Sequence, residues 1–394
     1  MKIQIGKNSI KKICLLILSL ITVSLAVIPL SAKTARAEIS YDKSIATKSV
    51  YLTETGTGEV MFAKNENERL TIASMTKIML LNLVFEAVDG GNLSFDEEIT
   101  VSENASGMGG SQVFLEKNGK YKAEDLIKSV IIASANDASV ALAERLFGSE
   151  TECVSAMNKK CEEWKLENTL FSNCTGLPKP TQYSSAKDVS VMLSKLITHK
   201  EYFRFSKIWT DEITHNAGRK TGLTNTNKLV RFYDGCDGGK TGFTSESGFC
   251  LAATAKRGAL RLIAVAIDSP DSKTRFAEVS SMFNYGFDNF TSKMAVDSSK
   301  PLEIKAEVDK GVKEKVKIIP ENDVFVFGEK SKKQNVTIDF KPDKIRAPIK
   351  SGEKAGELIV FKDNVEYKRV NVLAAEDIAK KTYFAYIKDI ARKW

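Results

Sequence analysis

The sequence predicts an α+β domain with an antiparallel sheet and helices, followed by a small all-β domain and a C-terminal amphipathic helix. Three observations carry this. Strand-like runs stand at both ends of residues 49–267 with helical periodicity between them. Beyond residue 293 the chain breaks into short alternating runs punctuated by lysine, glycine and proline. Residues 375–394 carry apolar side chains at helical spacing among lysines and arginines.

Residues 1–37 read as a secretory signal. Lys2, Lys7, Lys11 and Lys12 precede an apolar stretch over residues 13–30, and Ala35-Arg36-Ala37 supplies a small-x-small cleavage site. The rival is an uncleaved anchor, since the stretch is near spanning length; the cleavage site favours removal. Removing its six Lys/Arg from the chain's 58 leaves 52 against 50 acidic residues, a net of +2. The overall +8 is therefore mostly targeting signal, and no nucleic-acid partner follows from it. The predicted division is a signal at 1–37, a catalytic domain at 38–292, a β domain at 293–374 and a terminal helix at 375–394.

Residues 49–63 form a predicted hairpin about Thr55-Gly56-Thr57-Gly58. Helices are predicted over 74–85, 123–133, 138–146, 152–166 and 185–198, with a loop over 100–120. Residues 249–254 and 260–267 are nearly continuous apolar runs around Lys256-Arg257-Gly258, a strand pair buried on both faces. Helix returns over 274–290. In the second domain strands are predicted at 314–319, 323–327, 335–340, 357–361 and 366–373. Phe384, Ile387, Ile390, Ala391 and Trp394 line one face of the tail, which suits a basic helix lying on an anionic membrane surface.

Past residue 37 there are five cysteines, an odd number with no Cys-x-x-Cys pair, and they read as small buried thiols. The two histidines, His199 and His215, have no metal-ligand spacing to a partner, so no metal and no cofactor are expected. A Ser-His-Asp triad is improbable with so few.

The chemistry centres on Ser74-Met75-Thr76-Lys77 at the head of an apolar run. Residues three apart share a helix face, so the Ser74 hydroxyl and the Lys77 amine can meet. A lysine kept from water favours its neutral form and can take the serine proton. The same spacing recurs at Ser9/Lys12, Ser40/Lys43, Ser184/Lys187 and Ser351/Lys354, so position decides among them. Ser134-Ala135-Asn136 offers a second hydroxyl to pass a proton and an amide to orient Lys77; a decoy stands at Ser102-Glu103-Asn104. Lys-Thr-Gly occurs at Lys220 and again at Lys240-Thr241-Gly242. The second copy leads into the strand pair and can form an edge strand beside which an extended peptide lies. Lys240, Thr241 and Thr244 suit a carboxylate, and Gly242 admits close approach of backbone.

Taken in order, these motifs resemble those of the penicillin-recognising serine enzymes. The flanks Arg69-Leu70-Thr71-Ile72-Ala73-Ser74, Ser134-Ala135-Asn136-Asp137-Ala138, Thr175-Gly176-Leu177 and Asp237-Gly238-Gly239-Lys240 are similar to a D-alanyl-D-alanine carboxypeptidase, a low-molecular-mass penicillin-binding protein. The resemblance covers residues 40–290 strongly, and the β domain and tail more loosely. It implies Ser74 as acyl-enzyme nucleophile, Lys77 as base, Ser134 as proton relay and Asn136 as a substrate-orienting group. It implies an oxyanion held by the N–H groups of Ser74 and Phe243, and Arg275 as an aid in carboxylate binding. Phe243 is a departure, standing where some members carry histidine.

The substrate implied is the peptidoglycan pentapeptide stem, with β-lactams as inhibitors and attachment to the outer face of the cytoplasmic membrane through the tail. The alternatives are a β-lactamase, whose assisting glutamate is only approximated by Glu163-Trp164-Lys165-Leu166-Glu167-Asn168, and an inert wall-binding module.

Overall fold

The computed structural model describes residues 41, 44–216, 218–385 and 387. The predicted signal at 1–37 and residues 386 and 388–394 of the predicted terminal helix lie outside the described residues.

The first domain begins with an antiparallel hairpin, β1 (Ser49–Glu54) and β2 (Val60–Lys64). A 3₁₀ turn, Ala73–Thr76, then opens α1 (Lys77–Asp89). The helical region follows as α2 (Ala123–Ile132), α3 (Asn136–Phe147), α4 (Glu150–Glu163) and α5 (Ala186–Leu196). The chain returns to the sheet with β3 (Cys236–Thr244), β4 (Gly248–Arg257) and β5 (Leu260–Ser269), and closes with α6 (Ser272–Asn289). The five strands lie in the order β2-β1-β5-β4-β3, all neighbours antiparallel, so β3 is an edge.

The near-continuous apolar runs of β4 and β5 have a direct explanation. Ala252, Ile263, Val265 and Ile267 join the core containing α1 and α5. The alternate residues Leu251, Ala253, Leu262, Ala264 and Ala266 pack with Val279, Met282 and Phe283 of α6 on the other face. Both faces are covered, so neither needs polar side chains.

The second domain holds β6 (Phe290–Val296), β7 (Lys305–Asp309), β8 (Lys315–Pro320), β9 (Val324–Glu329), β10 (Val336–Pro342), β11 (Ile345–Arg346), β12 (Lys354–Lys362) and β13 (Val365–Ala374). Six of these form one sheet in the order β10-β12-β13-β8-β7-β11, and β6 pairs with β9. The helix predicted from residue 375 is corrected here. Ile378 is buried and bridges Ile349, and the Lys381 N–H donates to the Lys310 carbonyl, so the sheet holds this segment extended. Only from residue 383 do described residues turn helical, with Tyr383, Phe384 and Ile387 exposed.

The domains share a joint. The Phe290 and Phe327 rings stack with centroids 5.2 Å apart, Phe327 sits in one cluster with Phe283 and Phe287, and the Lys330 ammonium donates to the Phe287 carbonyl at 2.7 Å. The five cysteines, Cys153, Cys161, Cys174, Cys236 and Cys250, are all free and buried.

Candidate active site

The site begins with how the chain reaches Ser74. Ala73 adopts a left-handed φ of 46°, unusual for a residue with a side chain. The turn is pressed against Gly176, where an added Cβ would lie 2.0 Å from the Ala73 carbonyl oxygen. Gly242 of β3 also comes close: a Cβ there would lie 2.6 Å from the Ile72 carbonyl oxygen and 3.2 Å from the Ser74 nitrogen. Both approaches require glycine, and together they set the start of α1 against the edge strand.

Lys77 sits one 3₁₀ turn beyond Ser74, the geometry in which residues three apart eclipse. Every residue from Lys77 to Phe85 is buried. The Lys77 ammonium donates to the Ser74 hydroxyl at 3.0 Å, to the Asn136 side-chain oxygen at 2.6 Å and to the Thr175 carbonyl. Burial disfavours its charge and pushes its pKa down to about 7; the neighbouring Cys174 and Asp137 oppose this only in part. A lysine with that pKa is half neutral near neutrality and can accept a proton.

Asn136, the first residue of α3, is fixed from both ends. Its amide nitrogen donates to the Gly109 carbonyl at 2.7 Å and its backbone N–H to the Ser111 carbonyl at 2.7 Å. The next residue, Asp137, is fully buried and accepts from the N–H groups of Val113 (3.1 Å), Leu115 (3.0 Å) and Ala138 (2.9 Å). The 109–115 segment is thereby bound to the Ser134-Ala135-Asn136 corner. Ser134 itself has a left-handed φ of 63° and is buried, and its hydroxyl has no hydrogen-bond partner among the described residues.

On the opposite wall Lys240 is buried, its ammonium donating to the Thr241 carbonyl at 3.1 Å. Burial, then the nearby Lys77 and Arg275 cations, hold its pKa well below the usual lysine value. The Gly239 N–H points off the free edge of β3 and donates to the Tyr202 hydroxyl at 2.9 Å. By the two-residue strand period the N–H groups of Thr241 and Phe243 face the same open edge. Ser74, Lys77, Asn136, Lys240 and Gly242 thus lie together, with Ser134, Thr241 and Phe243 beside them in the chain.

Two expectations need adjustment. Thr244 does not offer its hydroxyl to a ligand: it donates to the Ser247 hydroxyl at 2.9 Å and accepts from the Ser247 N–H at 3.1 Å, closing the β3–β4 turn. Arg275 spends one terminal nitrogen on the carbonyls of Gly242 (3.0 Å) and Cys250 (3.1 Å), buttressing the strand. Its Nε remains buried without a partner.

The decoys resolve simply. Lys220 and Thr221 lie on an exposed hairpin, Thr210–Thr214 with Lys220–Thr224, where Lys220 pairs with Glu212 and Thr221 with His215. Ser102 caps the short helix Glu103–Ser106. Lys187 is exposed, and Lys354 pairs with Glu357 at 2.8 Å. Glu163 pairs with Lys160 at the surface end of α4, and Glu167 is exposed beside it.

Thr175, which no side-chain motif marks, is a further functional residue: its carbonyl is a partner of both Lys77 and Ser74. The signal was the Thr175-Gly176-Leu177 segment itself, whose glycine marks the close approach.

A family model described as D-alanyl-D-alanine carboxypeptidase matches residues 32–271, and one described as the C-terminal domain of penicillin-binding protein 5 matches residues 290–380. The chain is 38% identical over 349 residues to the D-alanyl-D-alanine carboxypeptidase DacF of Bacillus subtilis, covering 88% of this chain and 90% of that one. It is 30% identical over 386 residues to the carboxypeptidase DacD of Escherichia coli, covering 94% and 97%. Among solved structures it is similar to penicillin-binding protein 5 from Haemophilus influenzae, with a TM-score of 0.69 and 29% identity over 86% of this chain and 100% of that one. It is also similar to penicillin-binding protein D2 from Listeria monocytogenes, in an ampicillin-bound form, with a TM-score of 0.55 and 30% identity over 62% and 98%. The chain belongs to the D-alanyl-D-alanine carboxypeptidase family of penicillin-binding proteins.

Proposed function

We propose that this D-alanyl-D-alanine carboxypeptidase works through an acyl-enzyme on Ser74, with Lys77 as the base. One observation carries the reading: a fully buried amine with a pKa near 7 lies 3.0 Å from a serine hydroxyl. Neutral Lys77 takes the Ser74 proton as Oγ attacks the penultimate D-alanine carbonyl of a peptidoglycan stem. The oxyanion forms between the N–H groups of Ser74 and Phe243, donors of a kind that contribute about 3–4 kcal/mol each. Ser134 passes the proton to the departing D-alanine amine, and Asn136 holds Lys77 and the substrate amide in place. Lys240, Thr241 and Arg275 receive the terminal carboxylate. Water, activated by the same lysine, then cleaves the ester.

A β-lactam acylates Ser74 in the same way: Oγ attacks the lactam carbonyl, the ring C–N bond opens, and the protonated nitrogen stays tethered to the acyl group. The surface positions of Glu163 and Glu167 favour slow release of bound penicillin over lactamase turnover.

The exported, peripherally attached state is part of this proposal. It is supported by the signal-like start of the sequence and by the exposed Tyr383, Phe384 and Ile387 ahead of a basic terminus. Among the described residues no helix is long and apolar enough to cross a membrane.

The decisive test is D-alanine release from a pentapeptide together with labelling by a fluorescent penicillin. Wild type gives both and Ser74→Ala gives neither; an unlabelled wild type would return the fold to the role of an inert binding module.

A further inference from the structure

We infer that the Phe243 ring, backed by Phe249, is the apolar wall against which the side chain of the leaving residue packs, and that it sets selectivity at that position. The inference rests on the carboxypeptidase reading above and adds to it a specificity determinant.

Phe243 is an anomaly in its own strand. Lys240 and Thr241 are 2% and 6% exposed, whereas Phe243 is 56% exposed at the open edge. It is not a loose surface side chain. Phe249 lies directly across from it on β4, and the rings stack at 4.3 Å with planes 30° apart. The Arg275 guanidinium lies 5.4 Å from the centre of the Phe249 ring, so arginine, inner ring and outer ring are arrayed on one side of the sheet. Thr241 and Phe243 share that side by strand alternation, whereas Gly242 faces the Ser74 turn.

A peptide laid along β3 is pinned at two points. Its scissile carbonyl accepts from the Phe243 N–H, and its carboxylate reaches Thr241, Lys240 and Arg275. The residue between those points is the one that departs. Its side chain therefore crosses the Phe243 ring, which offers contact area but no hydrogen bond and no charge. Such a wall favours a methyl group over hydrogen and disfavours a carboxylate, which would lose water with no partner for its charge.

The test compares blocked Lys-D-Ala-X peptides with X as D-alanine, glycine or D-glutamate, using wild type, Phe243→Leu and Phe243→Ser. The readout is the ratio of kcat/KM values within each enzyme, which loss of folded protein leaves unchanged. Wild type should prefer D-alanine over glycine about fourfold, the worth of one buried carbon. It should reject D-glutamate more than tenfold. Phe243→Leu should keep both preferences, and Phe243→Ser should bring the D-alanine to glycine ratio near one. An unchanged ratio in Phe243→Ser overturns the inference while leaving the carboxypeptidase reading intact. Absence of D-alanine release by wild type overturns the reading itself.

Discussion

Lys77 must be dry enough to lose its proton and close enough to Ser74 to receive another. Burial pushes its pKa down to about 7, so the neutral fraction rises as pH rises through that value. The rate constant for labelling by a fluorescent penicillin should climb about tenfold per pH unit below 7 and level off above 8; a flat profile would remove Lys77 as the base. Lys240 has the opposite sign. Its pKa is also depressed, and it helps the carboxylate only while charged, so KM for a peptide should rise with pH. At Gly176 the φ of +84° and the 2.0 Å approach to Ala73 leave no place for a methyl group. Gly176→Ala should lower stability by about 2–4 kcal/mol in urea unfolding and slow acylation as well, because the strain falls on the turn that aims Ser74. The residue types of the site were readable because each carries its chemistry in the side chain. The Thr175 carbonyl was not: any residue has one, and only the fold brings this one to Lys77.

Among the elements, the 113–115 part of the 109–115 segment has two of its N–H groups satisfied by one carboxylate, Asp137. Asp137→Ala would leave the Val113 and Leu115 N–H groups without their acceptor, at about 3 kcal/mol by denaturant unfolding, with a parallel loss of acylation rate as Asn136 loses its frame. Asp137→Asn keeps one acceptor and should recover part of both. Elements long enough to show periodicity were legible to within a few residues. Residues 185–198 contain α5 (Ala186–Leu196), and residues 260–267 fall within β5 (Leu260–Ser269). The hairpin Thr210–Thr214 with Lys220–Thr224 escaped notice because each strand buries one apolar residue, Ile213 and Leu223, too few to show a period. The tail misled in the reverse way. A helix is expected from residue 375, yet Ile378 bridges Ile349 and joins the β core instead.

At the scale of the molecule the two domains are cemented by aromatic packing rather than hung on a flexible linker. Phe327→Ala should lower stability by about 3 kcal/mol in thermal unfolding while leaving D-alanine release unchanged at low temperature, since the ring lies in the joint and not in the cleft. The β character of the second domain was legible in its alternating runs, but its dependence on Phe287 and Phe290 was not, because a contact between distant segments leaves no local pattern. The five thiols sealed inside this packing carry a last consequence. Among the described residues no disulfide contributes to the fold. Melting curves with and without dithiothreitol should coincide.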